Sequence, residues 1–279
     1  MLAPSVLPEK FLAWNKAQGA PFGHVLRRRY DFFRYFCSNK ALQKLRGPFS
    51  IQPNSTSRTY EYPWVYHAAG LDSPKKIVEI GGSLSGLQFV LSAEGHEVVN
   101  IDPSTTGPGL GWPSSESSMR KLNSWFNTKV TLKSTTIGKA NLPDNYYDLF
   151  LSISVLEHLP EEELHEVLEH AYRCLKPGGR FIITLDLFLN LEPFSRRTSN
   201  EWGKNQDVRR MVDISRMKLV EGHRSQLFGY PQFNPEAILA NLEKYYMNSY
   251  YPVLSQCIVL QKDMPSSGAP PSHDRFSRN

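Results

Sequence analysis

The segment from Lys75 to Gly86, KKIVEIGGSLSG, most constrains the fold, because a short apolar run breaks abruptly into glycine and serine. From Lys75 to the run GRFIITLDLF, strand-like segments alternate with helical patterns. That alternation is typical of right-handed strand–helix–strand units on a parallel sheet. Ligands of such sheets bind beyond the carboxyl ends of the strands, so the turn Gly81–Gly86 after the first strand is the expected cradle.

The composition of this turn bears on the ligand. Aligned with the dinucleotide fingerprint G-x-G-x-x-G, the chain has Ser83 where the middle glycine lets the backbone touch a pyrophosphate. The Cβ of Ser83 is a steric objection to a dinucleotide, and Glu79 would repel a pyrophosphate. The same turn suits a cationic ligand without phosphates, and S-adenosylmethionine carries an ammonium and a sulfonium.

Asp102 ends the second strand-like run, EVVNIDPS, about 20 residues after the glycine turn. A carboxylate at this position accepts hydrogen bonds from both hydroxyls of a ribose, in NAD or in S-adenosylmethionine. The alternative is an acid that only ends a strand in the turn before Pro103.

A family resemblance rests on VEIGGSLSG, NIDPS, the stretch from Asn145 to Thr184 and the late strand PVLSQCIVLQK. Over about Lys75 to Leu187 the chain resembles class I S-adenosylmethionine-dependent methyltransferases. The resemblance implies an α/β fold with a Rossmann-like, mostly parallel seven-stranded sheet whose last strand is antiparallel. It implies S-adenosylmethionine as cofactor, S-adenosylhomocysteine as product, and cofactor contacts at Glu79, Gly81, Gly82, Ser83, Asp102, Pro103, Ser152, Ile153, Ser154 and Val155.

The chain departs from the family pattern at two places. Members usually carry E/D-x-G-x-G-x-G, whereas this chain has Ser83 and Ser85 at the later glycine positions. Many members also place an aspartate after the third strand to bind the adenine amino group. No acid precedes Asp144 there, so we expect Ala140 and Asn141 to take over this contact through backbone groups or the Asn141 amide.

Methyl transfer is an in-line displacement, so the protein must align the acceptor and, for a hydroxyl, remove one proton. His158 is one candidate base, because an imidazole titrates near neutral pH; the alternative is that it only shapes the cofactor pocket. Asp186, at the end of the fifth strand, is a second candidate base or a substrate anchor; the alternative is a cap. No metal site is predicted, since His165 and His170 lie five residues apart on different helix faces.

With 279 residues, 40% of them hydrophobic, the chain can bury one sizeable core with an appended lid. We expect a helical cap region over 1–70, a cofactor-binding domain over 71–262 with lid insertions, and a disordered tail over 263–279. Substrate selection is expected outside the common core. The candidate segments are Tyr60–His67, Ser104–Pro113 and the insertion that follows the fifth strand.

Cys37, Cys174 and Cys257 have no paired spacing, which favours a reducing cytoplasm over a disulfide framework. We expect no signal peptide and no membrane span, because no apolar run approaches 18 residues. The formal charge of +5 permits a nucleic-acid partner. However, the basic and aromatic segment Arg27–Phe36 has the spacing of a packed helix, and no RNA-binding module is recognised.

The sequence therefore favours S-adenosylmethionine-dependent methylation of a small molecule at oxygen or nitrogen, such as a natural-product or sugar intermediate. The first alternative is an RNA or protein methyltransferase, and the second is an NAD-dependent oxidoreductase, which Ser83 and Glu79 disfavour. A non-catalytic binding protein of the same fold stays open. The sequence determines neither the acceptor nor the oligomeric state.

Overall fold

A computed structural model describes residues 1–25, 40–103 and 110–264. Its strands are β1 Lys76–Ile80, β2 Glu97–Ile101, β3 Thr131–Lys133, β4 Tyr147–Ile153, β5 Leu175–Phe188, β6 Lys218–Glu221 and β7 Val253–Gln261. Its α-helices are α1 Glu9–Gln18, α2 Lys40–Arg46, α3 Arg58–Ala68, α4 Gly86–Ala93, α5 Glu116–Phe126, α6 Glu161–Cys174, α7 Val208–Ser215 and α8 Pro235–Leu239. Short 3₁₀ turns occur at Pro48–Ser50, Ile137–Lys139, Leu156–His158, Arg224–Gln226 and Leu242–Lys244.

The described strands form one sheet in the order β3-β2-β1-β4-β5-β7-β6. β7 is antiparallel to both of its neighbours, and the pairs among β1 to β5 are parallel. This confirms the predicted seven-stranded sheet with an antiparallel last strand. The chain leaves the centre in opposite directions from β1 and β4, so the switch-point crevice lies at the carboxyl ends of these two strands.

Helices cover both faces of the sheet, which explains the nearly continuous apolar sequence of β4. Leu149 and Leu151 pack with α1, α3 and α4 in one core, and Phe150 packs with α6 and α7 in the other. This alternation follows from the period of two in a strand. The buried residues of α6 include four at the spacing of one helix face: Leu164, Val167, Leu168 and Ala171.

The segment KPGG, residues 176–179, has the composition of a turn but lies within the residues of β5. The register between β4 and β5 shifts between Tyr147 and Leu149, and Gly178 has φ 77°. The two observations have one physical account: glycine lets the strand bulge at its start and then resume pairing at Arg180.

The described residues before β1 include α1, α2 and α3 and contribute to the core of one sheet face, with Phe49 and Tyr62 fully buried there. Leu2 also forms an antiparallel bridge with Gln256, on the part of β7 that β6 leaves uncovered. No helix in the described part of the chain is long and apolar enough to cross a bilayer. Arg27–Phe36, Cys37, residues 104–109 of the predicted loop and the tail from residue 265 lie outside the described residues.

Candidate active site

The turn after β1 is shaped by contacts within the protein. Gly81 has φ 66°, and a Cβ on this residue would lie 2.6 Å from Val155 Cγ1. A Cβ on Gly82 would lie 2.6 Å from the carboxyl carbon of Glu79. A larger residue at either position would therefore collide with a neighbouring side chain, whether or not a ligand occupies the crevice.

Four consecutive backbone amides of this turn, residues 82–85, donate to groups of the protein itself. The acceptors are Asn100 Oδ1, Asp102 Oδ2, Gln52 Oε1 and the Gly82 carbonyl, at 3.2, 2.7, 3.0 and 2.8 Å. A pyrophosphate site at such a turn needs amides that point at the anion. The amides of residues 82–85 already donate within the protein and do not point at a ligand. This observation argues against a dinucleotide more directly than the Cβ of Ser83 does.

Two clefts meet at Gly81. The apolar cleft is lined by residues that include Ile101, Pro103, Thr136, Ile137, Val155 and Leu159. The polar cleft is lined by residues that include Gln52, Arg58, Tyr62, Glu79, Ser85 and Ser154. Ile80, Gly81 and Val155 line both clefts. A ligand with a flat apolar ring at one end and a charged group at the other fits this pair.

Glu79 is 2% exposed and forms one side of the polar cleft. Its Oε1 accepts from Ser85 Oγ at 2.8 Å, and its Oε2 is buried without a partner among the described residues. Burial raises the pKa of Glu79 to about 7. A buried acceptor left unpaired beside a cleft needs a donor from a ligand, and the ammonium of S-adenosylmethionine supplies one.

Asp102 and Pro103 directly follow β2, as the sequence predicts. Asp102 is 5% exposed, and its Oδ2 accepts from the Ser83 amide, so the turn fixes the orientation of the carboxylate. Pro103 lines the apolar cleft. The structure thus brings Glu79, Asp102 and Ser83 to one crevice.

The predicted adenine contacts lie further away. Ala140 is buried in the core beneath the sheet, and Asn141 is exposed with φ 50°. The described lining of the apolar cleft contains Thr136 and Ile137 and neither of those two residues. An adenine contact at Ala140 or Asn141 stays a prediction, and Ile137 is the residue of this segment that sequence reasoning passed over.

The end of β4 reaches the polar cleft through Ile153 and Ser154, and Val155 lines both clefts. Ser152 lies behind them with its Oγ buried and unpaired within the described part of the chain. Arg58, at the start of α3, donates from Nη1 to Ser154 Oγ at 2.8 Å and pairs through the same atom with Glu61 Oε2.

Three buried carboxyl groups surround this arginine. Ser154 Oγ lies 2.9 Å from Glu61 Oε1 and 3.3 Å from Asp186 Oδ1. Asp186 also accepts from the Tyr251 hydroxyl at 3.2 Å, and its amide donates to Glu157 Oε1 at 2.9 Å. The cluster links α3, the end of β4, β5 and the start of β7.

Asp186 and Glu157 hold protons more strongly than ordinary carboxyl groups. Burial, followed by the charge of Glu61, raises the pKa of Asp186 to about 7. Burial, followed by the charge of Asp186, raises the pKa of Glu157 well above its usual range. Both shifts have one cause, because like charges in a low dielectric oppose ionisation.

His158 lies at the surface, in the 3₁₀ turn after β4, and its Nδ1 contacts the Trp202 carbonyl. Desolvation lowers the pKa of His158. Neither His158 nor Asp186 lines either cleft as described, and both lie beside Ser154, which lines the polar cleft. Asp186 is buried there, whereas His158 is exposed.

Sequence reasoning missed Arg58, Glu61 and Tyr251. A signal for the first two was present, because Arg58 and Glu61 are charged residues in an otherwise aromatic helix, RTYEYPWVYHA. Tyr251 carried no signal in the sequence. The structure gives no group of three or more His, Cys, Asp and Glu residues suited to a metal among residues 1–25, 40–103 and 110–264.

Comparisons with known proteins agree with this geometry. Residues 78–183 match the family model described as a methyltransferase domain. Over this segment the chain is similar to the class I S-adenosylmethionine-dependent methyltransferases. S-adenosylmethionine is accordingly the cofactor, and the chemistry of the two clefts fits it. A comparison with curated protein sequences gives no match.

Solved structures share the fold of this methyltransferase at low sequence identity. The Burkholderia thailandensis 1,6-didemethyltoxoflavin-N1-methyltransferase, solved with 1,6-didemethyltoxoflavin and S-adenosylhomocysteine, is 13% identical with a TM-score of 0.50. The match covers 94% of this chain and 95% of that one. The [4+2]-cyclase SpnF is also 13% identical with a TM-score of 0.50, over 85% of this chain and 95% of that one.

Proposed function

We propose that this methyltransferase transfers a methyl group to oxygen or nitrogen of a small molecule bound at the ends of β4 and β5. The observation that carries the proposal is Asp186, a buried carboxyl with a pKa of about 7 that touches Ser154 at the edge of the polar cleft. A base with this pKa suits proton removal at neutral pH.

Four contacts would hold the cofactor. The apolar cleft beside Ile137 takes the adenine, and Asp102 accepts from the ribose hydroxyls. Glu79 pairs with the ammonium, and the Arg58 guanidinium pairs with the carboxylate of the methionine part. When bound, the cofactor supplies a methyl group on a sulfonium, whose departing thioether is neutral. Residues 1–70 then form the cap of the site.

Asp186 accepts the proton that the acceptor atom loses as its bond to the methyl carbon forms. The electron pair of the broken sulfur–carbon bond stays on sulfur, so Asp186 need only take up the proton. Tyr251 donates to the second carboxylate oxygen and keeps Asp186 oriented. His158 is the second candidate base.

Aromatic side chains beside Asp186 point to a planar acceptor. Tyr251 stacks on Trp202 with ring centroids 5.6 Å apart and an interplanar angle of 9°. Phe188 stacks on Tyr251 at 6.3 Å and 24°. Trp202 is 49% exposed, so one end of this stack offers a flat apolar surface to a ligand. The Burkholderia neighbour, which shares only the fold, is by its name a methyltransferase of a small molecule.

The function is tested by binding and turnover together. Calorimetry with S-adenosylhomocysteine and NAD should show binding of the first and none of the second. Formation of S-adenosylhomocysteine from S-adenosylmethionine should then be measured with planar small-molecule phenols and amines, with bulk RNA and with peptides. Turnover with RNA or peptides, and none with the small molecules, would contradict the proposal.

The two candidate bases are compared with the small-molecule acceptor that gives turnover. Asp186→Asn should lower kcat by about 10²- to 10⁴-fold, the contribution of a general base, with little loss of cofactor affinity. His158→Ala should lower it by less than about tenfold, because the exposed imidazole contacts the Trp202 carbonyl through Nδ1. The reverse result would transfer the role of base to His158.

A further inference from the structure

The turn after β1 follows a backbone path that serine does not favour. Ser83 has φ 45°, in the left-handed region that residues with a Cβ occupy only when their surroundings hold them there. The family pattern has glycine at this position, and glycine adopts such a φ without steric strain. This chain therefore needs contacts that a glycine turn does not need.

Two fully buried amide side chains supply those contacts. Asn100 on β2 accepts from the Gly82 amide through Oδ1 at 3.2 Å and donates from Nδ2 to the Ser83 carbonyl at 2.7 Å. Gln88 on α4 donates to the carbonyls of Ser83 and Ser85 at 3.2 and 3.1 Å. Gln88 Oε1 also accepts from Asn100 Nδ2 at 3.1 Å, so the two side chains form one amide clamp around Ser83.

The conformation of Ser83 matters because its amide donates to Asp102 Oδ2 at 2.7 Å. If Ser83 relaxed to a negative φ, this N–H would turn away and the carboxylate would lose its fixed orientation. We propose that Asn100, supported by Gln88, is a positioning residue for S-adenosylmethionine. It holds Ser83 in the left-handed conformation and thereby orients Asp102. The inference rests on the ribose role proposed for Asp102.

A double-mutant cycle tests the clamp through the affinity for S-adenosylhomocysteine, measured by calorimetry. Asn100→Ala should weaken binding by about tenfold to a hundredfold, the range expected for losing buried hydrogen bonds. Ser83→Gly alone is the reference for the cycle, because glycine adopts this φ without a clamp and keeps the amide that donates to Asp102. Adding Ser83→Gly to Asn100→Ala should recover most of the loss. Additive losses would overturn the proposal.

Asn123 provides a matched control. It lies on α5, and its amide holds another turn by donating to the Val130 carbonyl at 2.8 Å and accepting from the Val130 amide at 3.0 Å. Asn123→Ala should lower the melting temperature without changing the affinity for S-adenosylhomocysteine. An equal loss of affinity in this control would mean that Asn100 acts only through general stability.

Hydrogen exchange of the ligand-free protein gives a readout that needs no cofactor. The peptide covering residues 81–88 should exchange faster in Asn100→Ala than in the wild-type chain or in Asn123→Ala. Unchanged exchange would overturn the clamp. If Asn100→Ala does not fold, Gln88→Ala takes its place in the cycle. Absence of S-adenosylhomocysteine binding by the wild-type chain would overturn the cofactor assignment, and exchange would still decide the clamp.

Discussion

The two halves of the crevice differ in how far apart along the chain the hydrogen-bond partners of their buried polar groups lie. In the cofactor half, at the ends of β1 and β2, acids and amides bond to the backbone of residues 82–85, no more than 32 positions away. In the acceptor half, the groups meet from distant parts of the chain. Ser154 contacts Glu61, 93 positions away, and Tyr251 contacts Asp186, 65 positions away.

This difference shows which groups stabilise the buried carboxyl groups in each half. In the cofactor half the Ser83 amide donates to Asp102 and fixes the orientation of this carboxylate. The acceptor half holds three buried carboxyl groups and one guanidinium, and burial raises the pKa of Asp186 to about 7. We therefore expect Asp186 in the acceptor half and Glu79 in the cofactor half to respond to changes of pH near neutrality.

The largest expected effect is a loss of stability when the buried ion pair of the acceptor half is removed. Arg58→Met leaves the fully buried Glu61 without its cation, and should lower the free energy of unfolding by about 3 kcal/mol, the lower end for a broken buried pair. The double variant Arg58→Met with Glu61→Gln should recover most of that loss, because the uncompensated charge is gone. Urea unfolding measures both. Equal stability of Arg58→Met and wild type would show that the pair is neutral.

A somewhat smaller effect is expected in the cofactor half. Asp102→Ala should weaken S-adenosylhomocysteine binding by about 1.5 to 3 kcal/mol, the range for hydrogen bonds to a charged group. Its thermal stability without ligand should change less than that of Arg58→Met, because the contact with the Ser83 amide is a single hydrogen bond and not an ion pair of a fully buried carboxylate. Calorimetry and thermal melts make the comparison. Unchanged affinity would remove the ribose role of Asp102.

The smallest expected effect concerns pH and Glu79. Its pKa rises from 4.5 to about 7 on folding, so between these values the folded chain holds a proton that the unfolded chain has lost. Stability should therefore fall as pH rises through this window. Binding of an ammonium favours the ionised carboxylate, so S-adenosylhomocysteine affinity should rise by up to about tenfold from pH 6 to pH 8.

Calorimetry in buffers of different ionisation enthalpy checks this prediction through the protons released on binding. Glu79→Gln should remove most of the pH dependence of affinity, and Asp186→Asn, whose carboxyl has a similar pKa, serves as the control. If only Asp186→Asn removed the dependence, the ammonium contact would belong to the acceptor half.

Much of the cofactor half could be predicted because its parts are close in sequence. A strand that ends in glycine, an acid inside it and a second acid at the next strand end suffice to place Glu79, Gly81 and Asp102 at one edge of the sheet. The seven-stranded sheet and its antiparallel last strand followed from the resemblance and are confirmed. The amide clamp was not predicted, because nothing in the sequence distinguishes Asn100 and Gln88 from other polar residues.

The sequence by itself determined the alternation of strands and helices, the position of the glycine turn after β1 and the resemblance to a methyltransferase family, since each depends on residue type and short spacing. Only the tertiary structure decided that Arg58 and Glu61 reach the crevice, that Tyr251 contacts Asp186, and that His158 lies at the surface. The physical reason is that burial and long-range packing set these contacts and the pKa values of Asp186 and Glu157. Neither the contacts nor the pKa values can be obtained from the order of residues along the chain.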